Sequence, residues 1–205
     1  MASQTNGWVR LGAGNYDTYD HWRSYILTHG IDVDYSYGNQ CYDMPALLWH
    51  QYGLFLMTRP QGNGSVYMCW TISKNYNARS PFIAVDGVQN IRRGDCIVFN
   101  KSGWSSNGHI GFADADYSGR VYQNGAWRIP LIAQNQGQGT SWGTPSNRVN
   151  QNLSSFLGIF RNTKWTESPT PPTPPTPPGP TPAMVYNKDK YNWVLFNNKR
   201  KARNG

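Results

Sequence analysis

Cys41 lies among carboxylates in the segment IDVDYSYGNQCYDM, a combination that suits both metal binding and nucleophilic chemistry. Proteins bind Ca²⁺ through carboxylate, hydroxyl and backbone carbonyl oxygens. Residues able to supply such oxygens stand at positions 1, 3, 5, 7 and 12 of a twelve-residue loop, which is the ligand spacing of a calcium loop. The spacing therefore predicts a Ca²⁺ site formed by Asp32, Asp34, Ser36, Gly38 and Asp43.

A solvated turn is the simpler interpretation of this loop, with Asp43 capping the helix that follows it. Position 6 of the loop holds Tyr37 instead of the usual Gly, and position 12 holds Asp instead of Glu. The residues alone leave both interpretations open.

Cys41 also meets the first requirement for a nucleophile. A cysteine nucleophile needs a partly ionised thiol, a base within hydrogen-bonding distance and a group that orients the base. We expect a helix over about 41–52, and the free N–H groups at its start would favour the thiolate. The side chain of Gln40 and the backbone N–H of Cys41 could both donate to an oxyanion.

The base must come from the four histidines, which are His21, His29, His50 and His109. His50 lies nine residues beyond Cys41 on the same predicted helix, about 13 Å away, so it is poorly placed. His109 opens an apolar strand after a glycine, where a sheet can project an imidazole toward a facing helix. The candidate orienting group is Asn135, and strand alternation would point its neighbour Gln134 to the opposite face.

The elements that must position these residues are helices first and short strands afterwards. A helix is expected over 16–29, with Asp17 or Thr18 as its cap and Gly30 as its stop signal. The stretch 54–90 shows no clear period. Helices followed by a run of antiparallel strands predict an α+β fold. The expected strands are 96–99, 109–113, 121–122, 127–133 and 156–160.

A proline-rich tract, SPTPPTPPTPPGPTP, divides the chain. Such tracts favour extended polyproline II and act as semi-rigid spacers. We therefore expect a catalytic domain at 1–166, a linker at 167–183 and a basic aromatic tail at 184–205, which could form a hairpin.

The net charge of +8 is concentrated in the tail. Residues 1–167 carry 13 basic against 10 acidic side chains, whereas 184–205 carry 6 against 1. This excess could favour nucleic acid or an anionic cell surface, but no nucleotide-binding glycine motif or nucleic-acid module is present. The start of the chain lacks the features of a secretory signal, and no apolar run approaches the roughly 18 residues of a membrane span.

The three cysteines are odd in number and lack zinc-type pair spacing. We expect free thiols made in a reducing cytoplasm. Cys69, beside a tryptophan, and Cys96, in an apolar strand, are expected to be structural.

The motifs GNQCYDM, RRGDCIVF, NGHIGFAD and LIAQNQG occur in an order that resembles CHAP domains, the cysteine, histidine-dependent amidohydrolases/peptidases. The resemblance covers about residues 20–162 and is closest to phage peptidoglycan hydrolases of the endolysin or virion-associated type. It implies a papain-like α+β fold with Cys41 as the nucleophile, His109 as the base and Asn135 at the family's Asn. Some phage members also bind structural calcium through a loop just before the nucleophile.

Ala133 departs from this pattern, because those members commonly have an acidic residue two places before the Asn. The resemblance then implies a Cys-His-Asn arrangement, with His109 oriented by Asn135 alone. Asp114 or Asp116 could substitute for the missing acid.

The expected function is hydrolysis of an amide bond in bacterial peptidoglycan, as an endopeptidase or an N-acetylmuramoyl-L-alanine amidase, for phage-mediated lysis or wall penetration. The protein would be made in the host cytoplasm and act at the wall as a monomer or virion component, without a specific nucleic-acid partner or membrane span. One alternative is a catalytically weak wall-binding or virion structural protein, which the departure at Ala133 favours. A weaker alternative is a nucleic-acid binder that uses the basic tail.

Overall fold

The computed structural model describes residues 3–6, 17–59, 64–102, 105–136, 146–165, 183–187 and 192–196. The chain divides into two compact units, Met1–Ser168 and Pro169–Gly205. Among the described residues, no helix combines the length and the apolar character needed to cross a membrane.

The first unit contains four α-helices and nine β-strands within the described residues. In chain order these are β1 Ser3–Asn6, α1 Tyr19–Thr28, β2 His29–Asp32, α2 Asp43–Gln51, α3 Met68–Thr71, α4 Lys74–Asn77, β3 Phe82–Val85, β4 Cys96–Phe99, β5 His109–Ala113, β6 Val121–Gln123, β7 Ala126–Ala133, β8 Asn147–Asn152 and β9 Phe156–Asn162.

A seven-stranded antiparallel sheet forms the centre of this unit. Its strand order is β3-β9-β4-β5-β7-β6, with β8 paired to β7. The first two strands pair in parallel as a separate ribbon, in which Thr5 lies opposite Ile31. The predicted α+β fold is confirmed, and β4 and β5 have the predicted bounds.

Helix α1 packs its apolar stripe on the sheet. The Thr18 hydroxyl caps the helix by accepting a hydrogen bond from the His21 N–H at 3.2 Å. Trp22 and Ile26, one turn apart, are fully buried, and Trp22 meets Phe112 of β5 edge to face. The helix ends at Thr28 rather than at Gly30, because the chain enters β2 at His29.

Helix α2 is apolar on most of its surface and is buried from Asp43 through Trp49. The Trp49 ring stacks on Phe82 of β3 with 3.7 Å between ring centroids. Helix α2 begins at Asp43, two residues after Cys41, so the nucleophile candidate precedes the helix instead of opening it.

The second unit contains an antiparallel hairpin of β10 Ala183–Asn187 and β11 Asn192–Phe196. This hairpin begins at the last residue of the predicted linker and otherwise lies in the predicted tail. The predicted linker at 167–183 lies outside the described residues except for its last position.

Candidate functional site

Cys41 occupies a junction between α2 and the central sheet. Cys41 is half-buried as a residue, with its sulfur on the buried side, whereas Cys69 and Cys96 are buried. The backbone N–H of Ile110, the residue after His109, lies close enough to the Cys41 sulfur to lower the pKa of the thiol. The fold therefore places the Cys41 sulfur beside the peptide that carries the His109 side chain.

His109 is the first residue of β5 and is 2% exposed. The preceding Gly108 has a positive φ of 74°, and a Cβ at that position would lie 2.6 Å from the carbonyl oxygen of Phe99. The Ser105 hydroxyl donates to the Gly108 carbonyl at 2.5 Å. These contacts fix the backbone from which the imidazole projects.

Burial keeps both candidate reacting groups neutral near pH 7. It raises the pKa of Cys41 to about 12, against the opposing effect of the Ile110 N–H. It also lowers the pKa of His109 to about 4. Burial of the thiol therefore outweighs the expected effect of a helix start. A thiolate–imidazolium pair would form by passing the thiol proton to the ring, with the charges stabilising each other.

Three consecutive carboxamides follow the last residue of β7. The Gln136 Nε2 donates to the Nε2 of His109 at 2.7 Å. The Asn135 Nδ2 donates to the Oε1 of Gln40 at 2.8 Å. The fully buried Gln134 donates from its Nε2 to the backbone carbonyl of Gln40 at 2.9 Å. Gln136 is thus a site residue that the sequence analysis missed.

The backbone at Asn135 explains why Gln136 reaches the imidazole. β7 ends at Ala133, whose Cβ lies on the face of the sheet that a Cβ at Gly111 would occupy. Continued alternation would carry Asn135 to the face that also holds His109. Asn135 instead has a positive φ of 51°, which turns the chain and ends the alternation. The sequence carries no periodic signal of this turn, so strand alternation could not have indicated Gln136.

The predicted oxyanion donor, Gln40, is held from both ends of its carboxamide. Its Oε1 accepts from Asn135, and its Nε2 donates to the Tyr37 carbonyl at 2.5 Å. A carboxamide nitrogen carries two hydrogens, so a second N–H is available to a substrate oxygen.

The structure brings three of the predicted metal ligands together. Single carboxylate oxygens of Asp32, Asp34 and Asp43 lie within 4.8 Å of one another. One Asp32 oxygen is buried without a hydrogen-bond partner. Burial, together with the charges of Asp34 and Asp32, raises the pKa of Asp43 to about 8. Two of the three carboxylates, Asp32 and Asp43, are buried, and an acidic cluster with an unsatisfied buried oxygen fits a hard cation.

Asp43 also contributes to the loop itself. Its Oδ2 accepts from the backbone N–H of Gln40 at 2.6 Å, and its Oδ1 accepts from the N–H of Val33 at 3.4 Å. The carboxylate therefore holds the backbone just before Cys41, as the turn interpretation expects, while facing the other two aspartates.

Ser36 and Gly38 lie in the same loop. The Ser36 N–H donates to the Asp34 Oδ1 at 2.9 Å, and its hydroxyl donates to the Asp34 carbonyl at 3.3 Å. Gly38 has a positive φ of 65°, as do the preceding Tyr35 at 58° and Tyr37 at 63°. The two tyrosine side chains are each 71% exposed.

Asp114 and Asp116, the two acids that the sequence offered as substitutes for an acid at Ala133, are engaged by arginines. The Asp114 carboxylate forms ion pairs with Arg23 and Arg148, each at 2.7 Å. Asp116 accepts from the backbone N–H of Arg93 at 2.8 Å. These contacts anchor Asp114 and Asp116 to the arginines.

The fold is similar to that of a solved endolysin structure. The crystal structure of the wild-type endolysin LysIME-EF1 matches this chain with a TM-score of 0.51 and 18% sequence identity. The chain has an endolysin-like fold. The match covers 71% of this chain and 64% of the endolysin chain, so it spans less than two thirds of that protein. No family model matches the sequence, and no curated protein matches it.

Proposed function

We propose that the protein is a cysteine-dependent hydrolase of bacterial peptidoglycan, acting as an endopeptidase or an N-acetylmuramoyl-L-alanine amidase in phage-mediated lysis or wall penetration. The observation that supports this most is the Cys41 sulfur beside the backbone N–H of Ile110, the residue after the buried His109, in a fold shared with an endolysin. A cysteine beside the strand that a histidine opens suits acyl transfer.

The reaction begins when His109 takes the proton of the Cys41 thiol. The thiolate attacks the carbonyl carbon of the amide, forming a C–S bond and an oxyanion held by the Cys41 N–H and by Gln40. Collapse of this intermediate breaks the C–N bond, and His109 returns the proton to the leaving amine. His109 then activates a water that hydrolyses the thioester and restores the thiol.

The two exposed tyrosines of the metal loop are suited to substrate contact. Tyr35 and Tyr37 lie in the same loop as Gln40 and Cys41 and precede them in the chain, and their positive φ values hold them on a tight turn. Exposed aromatic rings next to a reactive group offer apolar faces to a glycan or stem peptide. We assign both tyrosines to the part of the substrate-binding surface that the acidic loop would form beside Cys41.

We propose Ca²⁺ as a structural cofactor held by Asp32, Asp34 and Asp43, with Ser36 and Gly38 completing the loop. The unsatisfied Asp32 oxygen and the raised pKa of Asp43 support this assignment. The ion would neutralise the clustered carboxylates. Asp43 would then hold the Gln40 backbone next to Cys41, so the ion's role is to support the nucleophile and not to react.

The test is lysis by the full-length protein and its Cys41→Ala variant on purified cell walls. We expect the native protein to clear walls and release free amino groups, and Cys41→Ala to release none. Cys96→Ala is the matched control, because that thiol is buried in β4 and should affect stability only. Mass spectrometry of the fragments would identify the bond. Undiminished lysis by Cys41→Ala would remove the mechanism.

A non-catalytic wall-binding or virion structural protein is the second candidate. Ala133 leaves no carboxylate at the family's acidic position, and burial disfavours ionisation of both Cys41 and His109. Wall binding by the native protein without release of amino groups would support this candidate.

A further inference from the structure

We propose that Gln136 is the positioning residue that orients His109. It takes the role expected of Asn135 and of the carboxylate that is absent at Ala133. This proposal rests on the proposed Cys41–His109 chemistry and names the group that orients its base. The observation that carries it is the 2.7 Å contact between the Gln136 Nε2 and the His109 Nε2.

The neighbouring carboxamides have other partners. Asn135 donates to the Gln40 side chain, and Gln134 is buried against the backbone on the Cys41 side of the site. Asp114 is held by two arginines. Gln136 is therefore the carboxamide of this segment that meets the imidazole.

A carboxamide suits this position because it can donate a hydrogen bond to one tautomer of the His109 ring and accept one from the other. With its NH₂ toward His109, Gln136 donates to an unprotonated Nε2, and the ring proton lies on Nδ1. A half-turn of the carboxamide brings Oε1 to the same place, where it accepts from Nε2–H. Nδ1 is then unprotonated and can take the thiol proton. The same acceptor then holds the imidazolium after proton transfer.

A glutamine also fits the electrostatics better than the missing acid would. Burial lowers the pKa of His109, and no carboxylate contributes to this shift. A charged acid would hold the imidazolium strongly and make the ring a weaker acid toward the leaving amine. A neutral carboxamide orients the ring without that effect.

Substitutions at two adjacent positions test the assignment. Gln136→Leu removes the carboxamide at similar size, and Gln136→Glu restores an acceptor. Asn135→Gly is the matched comparison, because it removes the neighbouring carboxamide while glycine readily adopts the positive φ. Thermal melts would confirm that each variant is folded.

The first measurement is ¹⁵N NMR of the His109 ring, which reports the tautomer without any substrate. We expect Gln136→Leu to change the tautomer ratio by about threefold to tenfold, as loss of one hydrogen bond implies. Asn135→Gly should leave the ratio as in the native protein. An unchanged ratio in Gln136→Leu, or a change confined to Asn135→Gly, would overturn the proposal.

The second measurement is alkylation of Cys41 by iodoacetamide at pH 7, followed by peptide mass spectrometry. The thiolate displaces iodide, so the rate reports proton transfer to His109. We expect Gln136→Leu to slow alkylation about threefold to tenfold and Gln136→Glu to recover most of the rate. Failure of Gln136→Glu to exceed Gln136→Leu would contradict a positioning role.

These readouts separate this proposal from the proposed function. If the native protein released no amino groups from cell walls but the NMR and alkylation results held, the hydrolase assignment would fail and the positioning role would stand.

Discussion

The side chain of Gln134 pairs with the backbone of Ile31 as a neighbouring strand would. Its Oε1 accepts from the Ile31 N–H at 2.6 Å, and its Nε2 donates to the Ile31 carbonyl at 2.8 Å. The same Nε2 donates to the Gln40 carbonyl. One fully buried carboxamide therefore connects Ile31, just before the acidic loop, to Gln40, which directly precedes Cys41.

We expect Gln134→Met to lower the free energy of unfolding by about 2–4 kcal/mol. The substitution removes three hydrogen bonds to the backbone and one from the Ser146 hydroxyl. It leaves buried backbone groups of Ile31 without partners, each at a cost of about 1–3 kcal/mol. Urea unfolding would measure the change. Gln89→Met is the control, because Gln89 is exposed and its substitution should change stability by less than about 0.5 kcal/mol. Equal effects of the two substitutions would contradict the role of Gln134.

The strands that position the base could be predicted from the sequence, because their signals are local. Cys96–Phe99 and His109–Ala113 are short apolar runs bounded by turns, and both strands have the predicted bounds. β8, with the sequence NRVNQN, was not predicted because five of its six side chains are polar. It is a strand because its backbone pairs with β7.

The carboxamide contacts could not be predicted, because they depend on one backbone angle. The left-handed conformation of Asn135 arises where the chain leaves the sheet, and no periodic pattern encodes it. The acidic cluster was predictable, since its spacing within one loop already brings Asp32, Asp34 and Asp43 together. Long-range pairs such as Gln134 with Ile31 lie beyond what local spacing indicates.

Calcium should stabilise the protein through the acidic cluster. At a concentration one hundred times Kd, a ligand that binds only the folded state adds about 2.7 kcal/mol, or roughly 5–10 °C in Tm for a chain of this size. Thermal melts in chelator and in CaCl₂ would measure this shift. Asp32→Asn should reduce it, whereas Asp86→Asn, at an exposed carboxylate paired with Lys74, should not. Identical melting curves with and without calcium would remove the ion from the proposal.

His109 should contribute stability that is lost in acid. The pKa of this ring is lowered to about 4, below its ordinary value of about 6.5. Between these values the unfolded chain binds more protons at this ring, so its contribution is greatest above pH 6.5 and falls as the pH drops toward 4, opposite in sign to the contribution of Asp43, whose pKa is raised. The expected loss from this group is about 2–4 kcal/mol between pH 7 and pH 4.

Urea unfolding across this pH range, for the native protein and for His109→Gln, isolates the contribution of the ring. The variant should show a shallower acid dependence, since carboxylates elsewhere affect both proteins equally. His21→Gln is the control, because His21 pairs with Asp17 at the surface, where an ion pair contributes little. Parallel curves for the native protein and His109→Gln would show that the ring is not buried as described.

Gly108 and Gly125 offer a matched pair for testing how closely the backbone is packed before His109. Their φ values are 74° and 75°, so an alanine at either position carries a similar conformational cost of about 1–2 kcal/mol. A Cβ at Gly108 would lie 2.6 Å from the Phe99 carbonyl oxygen and 2.7 Å from the Tyr67 Cβ. At Gly125 nothing lies within 4 Å of that Cβ.

We therefore expect Gly108→Ala to destabilise the protein by about 2–3 kcal/mol more than Gly125→Ala, measured by urea unfolding. The backbone must shift to relieve the contact, and this shift moves the residue that carries the imidazole. Gly108→Ala should consequently slow Cys41 alkylation even where it remains folded, while Gly125→Ala should alkylate at the native rate. Equal stability losses in the two variants would mean that the positive φ alone requires glycine at Gly108, and that the close approach to Phe99 does not constrain the base.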